Sequence, residues 1–142
     1  MKFKDYFSLR QIVFAIFVVA LVLVFALIAS ARTVEVELQD SKIYIESSKY
    51  LLSVSYDEIE KATLEPLAQP GEKLEHGFDD DILRAGKWKN ETWGEYHICA
   101  DLDTKNCVVL HLKDGRKFVF NLKNDQTTEE IYQQLLVILP NA

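Results

Sequence analysis

The stretch VVLHLKDGRKFVFNLKNDQTTEEIYQQL, from Val108 to Leu135, decides the fold class because it contains two strands, a turn and a helix in succession. Two apolar runs flank Asp114-Gly115, and this pair between such runs is a strong signal for a β-hairpin. Thr127 and Glu130 have the spacing of a capping box, which marks the start of a helix. Four apolar residues then recur at helical spacing, namely Ile131, Leu135, Ile138 and Leu139. A helix with such a stripe buries it against the sheet, so the pattern predicts an α+β fold that is mainly β.

Six segments of alternating polar and apolar residues precede this stretch and two more overlap it, and together they predict a domain of about seven strands. They lie at residues 34–38, 42–46, 51–55, 62–65, 85–89, 94–102, 107–113 and 117–122. Ser55 and Glu58 fit a second capping box and predict one helical turn over Tyr56–Glu60. Residues 67–84 contain Pro70-Gly71 and an acidic run, and they are predicted to form a long irregular loop.

The amino-terminal part of the chain has the composition of a membrane span. Residues 12–31 carry no charge, and a helix of this length reaches about 30 Å, the thickness of the hydrocarbon layer. Lys2, Lys4 and Arg10 precede the run, whereas Arg32 alone follows it closely. By the positive-inside rule, residues 1–11 are expected in the cytoplasm and the rest of the chain outside it.

The end of the span leaves two alternatives open. Ala29-Ser30-Ala31 fits the pattern of a signal-peptide cleavage site, which would give a secreted domain that begins at Arg32. Secretory apolar cores usually run about 7–15 residues, however, and this run is longer. We therefore expect an uncleaved signal anchor, with residues 12–31 as a retained transmembrane helix.

Net charge limits the partners of the outer domain. Lys2, Lys4 and Arg10 against Asp5 give residues 1–31 a charge of +2, which leaves −8 for residues 32–142 out of a total of −6. An acidic domain repels phosphate groups, so nucleic acid is not an expected partner.

Three stretches resemble the bacterial PH (pleckstrin-homology-like) domain family, which occurs in small membrane-anchored bacterial proteins. They are VSYDEIEKATLE (Val54–Glu65), RAGKWKNETWGEYHI (Arg84–Ile98) and the opening stretch, Val108–Leu135. The resemblance implies an antiparallel barrel or sandwich in residues 32–142, capped by the carboxy-terminal helix, with a binding or assembly role and no cofactor. Relatives of this fold often bind inositol phosphates through basic residues in the first hairpin. Here that turn is Gln39-Asp40-Ser41, with Lys42 as its only nearby base, so phosphoinositide binding is not expected.

Two cysteines flank the turn around Asp103, on strands predicted to be adjacent. If Cys99 faces Cys107 directly, a disulfide can form. If the loop Thr104–Asn106 sets the register, Asp103 faces Cys107 and Cys99 faces His111, so no bridge forms. Free buried cysteines are the other alternative. A zinc site is a further hypothesis, because four possible ligands alternate so that they may lie on one face of the hairpin, namely His97, Cys99, Cys107 and His111. No Cys-x-x-Cys knuckle accompanies them.

The acidic run Asp79-Asp80-Asp81, with Glu75 and His76, forms either a calcium site or a solvated acidic loop, and the spacing of these residues favours the loop.

Trp88 and Trp93 are the candidate partner contacts, because an exposed tryptophan is a strong anchor at an interface. Their position on predicted strands favours burial in the core instead.

The chain has no Gly-x-Ser-x-Gly, no glycine-rich phosphate loop and no His-Glu-x-x-His, so no enzymatic activity is expected. The sequence predicts a single-pass cell-membrane protein that associates with an envelope protein or a second copy. The alternative is a small-ligand binding or sensing module in the mouth of the barrel.

Overall fold

The computed structural model describes residues 2–30 and 34–139 and divides the chain into two units, Met1–Ala31 and Arg32–Ala142. The described part of the first unit, residues 2–30, is one helix, α1 (Lys2–Ser30). Its segment Ser8–Ile28 has 21 residues and a mean hydropathy of 3.1, so it is long and apolar enough to cross a membrane or to belong to a signal sequence. The predicted cleavage position after Ala31 lies outside the described residues.

The second unit begins with a three-stranded antiparallel sheet in chain order, β1 (Glu35–Leu38), β2 (Lys42–Glu46) and β3 (Leu51–Ser55). The bounds of β2 and β3 confirm the prediction, because alternation of side chains across the sheet is visible in the sequence. A 3₁₀ turn at Tyr56–Glu58 follows β3. The backbone N–H of Ser55 donates to Oε2 of Glu58 over 3.1 Å, as the predicted capping box requires of Glu58.

The second sheet has seven strands in the order β4-β9-β10-β8-β7-β5, with β6 also paired to β7. These strands are β4 (Ile59–Pro66), β5 (Glu72–Lys73), β6 (Phe78–Asp79), β7 (Leu83–Asn90), β8 (Gly94–Asp101), β9 (Asn106–Leu112) and β10 (Lys117–Phe120). The ten strands form two sheets and no closed barrel within residues 34–139. The short strands β5 and β6 correct the prediction of an irregular loop over residues 67–84, because their backbones pair with β7.

The position of β10 corrects a second prediction. β10 pairs antiparallel with β9 through the predicted Asp114-Gly115 hairpin, but it pairs in parallel with β8, so it separates β8 from β9. Asn121, which is fully buried, explains this arrangement. Its side chain accepts a hydrogen bond from the N–H of Asp101 at 2.7 Å and donates to the carbonyl oxygens of Asp101 and Asn106 at 3.0 and 3.3 Å. These bonds hold the end of β8 and the start of β9 on either side of the β10 terminus.

The chain ends in α2 (Asp125–Ile138), as its amphipathic pattern predicts. The amino-terminal cap is Asn124 rather than Thr127, since Oδ1 of Asn124 accepts the N–H of Thr127 at 2.8 Å. Leu135 and Leu139 of the predicted apolar stripe are buried. Both belong to the cluster formed by the inner faces of the two sheets, so the carboxy-terminal segment packs on this shared core, against β4 and β9.

Two separate hydrophobic clusters cover the two faces of the larger sheet. The first cluster joins this sheet to the three-stranded sheet and α2, with Phe120, Leu110 and Ile45 among its fully buried members. The second cluster lies on the opposite face and includes Tyr96 and Val109. Successive residues of β8 and β9 therefore belong to different clusters, as expected from the two-residue repeat of a strand.

Candidate interaction surface

The two cysteines are free and buried, and each belongs to a different hydrophobic cluster. Cys99 lies opposite Phe120 and Ala85 on the neighbouring strands, whereas Cys107 lies opposite Glu65. The assumption that β8 and β9 are adjacent was therefore wrong, and neither predicted register applies. Burial raises the pKa of both thiols to about 12, so they stay protonated and lack the thiolate that nucleophilic chemistry needs.

The insertion of β10 also separates the four residues of the zinc hypothesis. Cys99 belongs to the cluster between the sheets, Cys107 to the cluster on the opposite face, and no group of three or more metal-ligating residues forms among the described residues. Nδ1 of His97 lies 2.9 Å from the hydroxyl of Tyr50, and Nε2 of His111 lies 3.1 Å from Oγ1 of Thr63. Burial lowers the pKa of both histidines and so favours their neutral forms, while Oε2 of Glu65, 3.8 Å from Nε2 of His111, acts in the opposite direction on that ring.

The acidic run at residues 79–81 serves the local backbone. Oδ1 of Asp80 accepts the N–H groups of Ile82 and Leu83, each at 2.7 Å. Oδ1 of Asp79 lies 3.5 Å from Nε of Arg84, which is the buried cation of the neighbouring strand. These contacts give two of the three acids a role in the turn between β6 and β7, which fits the solvated-loop alternative better than calcium ligation.

Both candidate partner contacts are core residues. Trp88 and Trp93 are each only 4% exposed and belong to the second cluster. Nε1 of Trp88 donates to the carbonyl of Ala85 at 2.9 Å, and Nε1 of Trp93 donates to Oε1 of Glu65 at 3.3 Å. The core alternative is thereby confirmed, and neither indole is available as an exposed anchor.

The ends of the larger sheet both have features that discourage pairing with another chain. At one end, β4 has a register shift between Ile59 and Lys61, an exposed lysine at Lys61 and a proline at Pro66. Bulges, lysines and prolines are the usual means by which proteins protect an edge strand. At the other end, β5 and β6 are two residues each, and His76 between them has a φ of 55°. Neither end offers a long regular strand.

The three-stranded sheet has a different kind of edge at β3. The N–H of Tyr56 donates to the carbonyl of Ser41, so the pair Ser41–Tyr56 is hydrogen-bonded. Hydrogen-bonded and non-bonded pairs alternate along an antiparallel ladder, which makes Leu52 and Val54 the residues bonded to β2. The backbone groups of Leu51 and Ser53 therefore point away from β2, and no described residue hydrogen-bonds to them.

We call the outward backbone groups of Leu51 and Ser53, with the side chains of these two residues, the β3 edge. The strand LLSVS has no charge, glycine or proline, and its pairing with β2 has no register shift. Leu51 is 57% exposed, and outside α1 only Val137 and Ile138 are other exposed large hydrophobics among the described residues. The β3 edge thus lacks all three protective features of β4.

The opposite edge of this sheet, β1, carries exposed acids. Glu35 and Glu37 alternate with Val36 and Leu38, which pack against the core cluster. Oε1 of Glu37 accepts a hydrogen bond from Nε2 of Gln39 at 3.1 Å. Because like charges repel, an acidic edge is poorly suited to pairing with another acidic strand. Of the two edges, β3 is the better candidate for contact with a partner.

An open groove of about 940 Å³ lies on the larger sheet, lined by residues 67–69, 71–72 and 89–92. The segment before β5 forms one wall, because Nδ2 of Asn90 donates to the carbonyl of Gln69 at 3.0 Å and the hydroxyl of Tyr96 donates to the carbonyl of Pro70 at 2.7 Å. A cavity of this size can accept a small molecule.

No family model, curated protein or solved structure matches the chain. The β3 edge was missed in the sequence, although the signal was present. Five consecutive strand residues without charge, glycine or proline are visible in LLSVS. What the sequence could not show is that β3 ends its sheet.

Proposed function

We propose that this protein is a membrane-anchored, non-enzymatic module with a PH-like outer domain that mediates protein–protein association at the cell membrane. The observation that carries this proposal is the β3 edge, an uncharged and unprotected strand edge in the folded unit. Such an edge can accept an added strand, with backbone hydrogen bonds giving affinity and side chains giving selectivity.

The chemistry of the described residues supports a binding role over catalysis. The two thiols have pKa values raised to about 12. Nδ1 of His97 lies beside Tyr50, and Nε2 of His111 lies beside Thr63 and Glu65, so neither histidine is placed against a cysteine by these contacts. A nucleophile needs an adjacent base that is free to take its proton. Neither cysteine has such an arrangement.

The anchor makes a weak contact sufficient. We propose that α1 is retained in the cell membrane, with its basic amino end in the cytoplasm and the folded unit outside. Lys2, Lys4 and Arg10 support this orientation, and the 21-residue apolar segment supports a full span. Confinement to one surface raises the effective concentration of co-anchored partners, so modest affinity yields association.

Charge supports a protein partner rather than a phosphate-bearing one. Residues 32–142 carry −8, which opposes the approach of nucleic acid and of phosphoinositide headgroups. The uncharged β3 edge is a local exception within this acidic surface. We therefore propose an envelope protein or a second copy as the partner class.

The proposal is tested with the full-length chain in its native membranes, with a photo-reactive amino acid in place of Leu51. We expect crosslinked adducts from this position and few from the same probe at Glu37, which faces solvent on β1. Monomer alone at both positions would contradict the proposal. Carbonate extraction of the same membranes tests the anchor, because a retained span stays in the pellet and a cleaved domain does not.

A second function, small-ligand binding, is favoured by the groove of about 940 Å³. The sequence predicts such a site in the mouth of a barrel, but the sheets of the described unit do not close into a barrel, so the groove is the candidate site instead. Native mass spectrometry of the detergent-solubilised chain would detect a retained ligand. The added mass of the ligand should disappear in Thr92→Trp, because the larger side chain fills the groove. It should persist in Ser53→Trp, because residue 53 does not line the groove.

A further inference from the structure

We infer that the β3 edge pairs with the β3 edge of a second copy of this chain, antiparallel and around a two-fold axis. The inference rests on the proposed association function and deepens it by naming the partner. A two-fold interface needs a surface that is complementary to itself. An antiparallel strand edge meets this condition when its donors, acceptors and flanking charges are arranged symmetrically.

The free backbone groups determine the register. Leu51 and Ser53 each present an N–H and a carbonyl outward, whereas the outward N–H of Ser55 is already bonded to Glu58. The register that uses only free donors places Leu51 opposite Ser53 of the second copy and Leu52 on the axis. The two hydrogen-bonded pairs then satisfy the outward N–H and carbonyl of Leu51 and Ser53 in each copy.

This register also covers the exposed leucine. Leu51 is 57% exposed in the single copy, and its side chain lies on the outer face of the sheet, opposite in direction to the buried Leu52. Across the axis the two Leu51 residues are diagonal neighbours, about 7–8 Å apart, which is within contact of long side chains. The Leu51 side chain, which is exposed in the monomer, therefore contacts the Leu51 side chain of the second copy in the proposed dimer.

Charges at the two ends of β3 favour the antiparallel direction. Lys49 lies in the turn before the strand and is exposed, with its ammonium 4.9 Å from the centroid of the Phe78 ring. Glu58 follows the strand, is also exposed and accepts the Ser55 amide. The proposed register brings this turn towards Ser55 of the second copy, which sets Lys49 near the partner's Glu58, and this pair occurs twice. Parallel pairing would instead set lysine beside lysine and acid beside acid. Opposite charges are favourable and like charges unfavourable at such positions.

The test uses reciprocal charge reversal in the full-length chain in membranes, with Leu51→Cys as a crosslinking reporter. A short bismaleimide should join two Leu51→Cys copies into a species of twice the monomer mass. The native thiols do not interfere, because both are buried and their pKa values are about 12. Lys49→Glu or Glu58→Lys, each in the reporter background, should lower the yield roughly threefold to tenfold, since each sets like charges together twice.

Co-expression of the two reversed variants with different tags should restore the yield between them, because each charge then meets its opposite. A folding defect in either variant would not be restored by mixing, so recovery is specific to the proposed arrangement. Tyr44→Lys is the matched charge control, since it adds a positive charge on the same face, one strand inward from the edge. A reporter at Glu37 should give no dimer, because the two positions would be five strand spacings, roughly 24 Å, apart.

Absence of the species at twice the monomer mass would overturn the inference. If adducts with other proteins form from Leu51→Cys in that case, the proposed association function stands with a different partner; if only monomer forms, both fail. Dimer that is insensitive to both charge reversals, or that is not restored by mixing them, would overturn the antiparallel register.

Discussion

The β3 and β4 strands both end a sheet, yet they differ in every feature that controls pairing with another chain. β4 has a register shift near Ile59, an exposed lysine at Lys61 and a proline at Pro66, whereas β3 has none of these. β4 also ends a sheet of seven strands, and β3 ends one of three. An open edge is therefore suited to pairing with another chain only where such protection is absent.

The largest expected effect is the difference in thiol reactivity between a cysteine on the exposed β4 edge and the two cysteines in the core. A cysteine in Lys61→Cys, on the exposed β4 edge, should have a pKa near 8.5, whereas the pKa of Cys99 and Cys107 is about 12. At pH 8 the introduced thiol should react with iodoacetamide about a thousandfold faster, as follows from the thiolate fractions. Mass spectrometry of the labelled chain measures both rates. Rapid labelling of a native thiol in the folded chain would contradict the burial of both residues.

Proline substitution separates the inward from the outward residues of β3. Val54→Pro removes an N–H that bonds to β2 and should lower the free energy of unfolding by about 3 kcal/mol or more. Ser53→Pro removes an outward N–H and should cost much less, while it abolishes the dimer. Denaturant unfolding and crosslinking measure the two effects. Equal destabilisation by both prolines would show that the assigned alternation along β3 is wrong.

A lysine transfers one protective feature of β4 to β3. Ser53→Lys places a charge at the centre of the β3 edge, and the dimer yield should fall about tenfold, equivalent to roughly 1.4 kcal/mol. The unfolding free energy should change little, because Ser53 is exposed. The matched variant Tyr44→Lys should keep the dimer. A similar loss of dimer in both variants would attribute the effect to charge alone rather than to the edge.

Removal of protection from β4 is the converse change and should have the smallest effect. Lys61→Thr with Pro66→Thr leaves the register shift near Ile59 in place, so we expect only a few-fold increase in higher oligomers. Size-exclusion chromatography of the detergent-solubilised chain measures their fraction. An increase as large as the loss seen in Ser53→Lys would mean that the bulge contributes little to edge protection.

Local features of the sequence were sufficient for most elements. The bounds of β2 and β3, the hairpin between β9 and β10 and the course of α2 follow from side-chain periodicity and turn residues, which act over a few neighbours. Gly115 adopts a φ of 93°, a left-handed conformation that glycine takes without steric cost. The cap of α2 was misplaced at Thr127 because Asn124, which begins the helix, also has the side chain of a capping residue.

The candidate site was less predictable. Cys99 and Cys107 were assigned to neighbouring strands because they are close in sequence, and only the insertion of β10 shows that they lie in different clusters. Parallel pairing of β8 with β10 depends on contacts far apart in the chain, including the bonds of the buried Asn121. Segment 67–84 was read as a loop, since strands of two residues have no recognisable period.

Side-chain patterns within short windows of the sequence were sufficient to predict an apolar helix of membrane length, a mainly β domain and a closing amphipathic helix. Tertiary structure alone decided which strands are neighbours and which strand ends a sheet. Every residue other than proline carries the same backbone donor and acceptor, so a strand such as LLSVS has the same sequence pattern whether it is central or at an edge. Only the pairing of β2 with β3, with nothing paired beyond it among the described residues, makes Leu51 and Ser53 a surface.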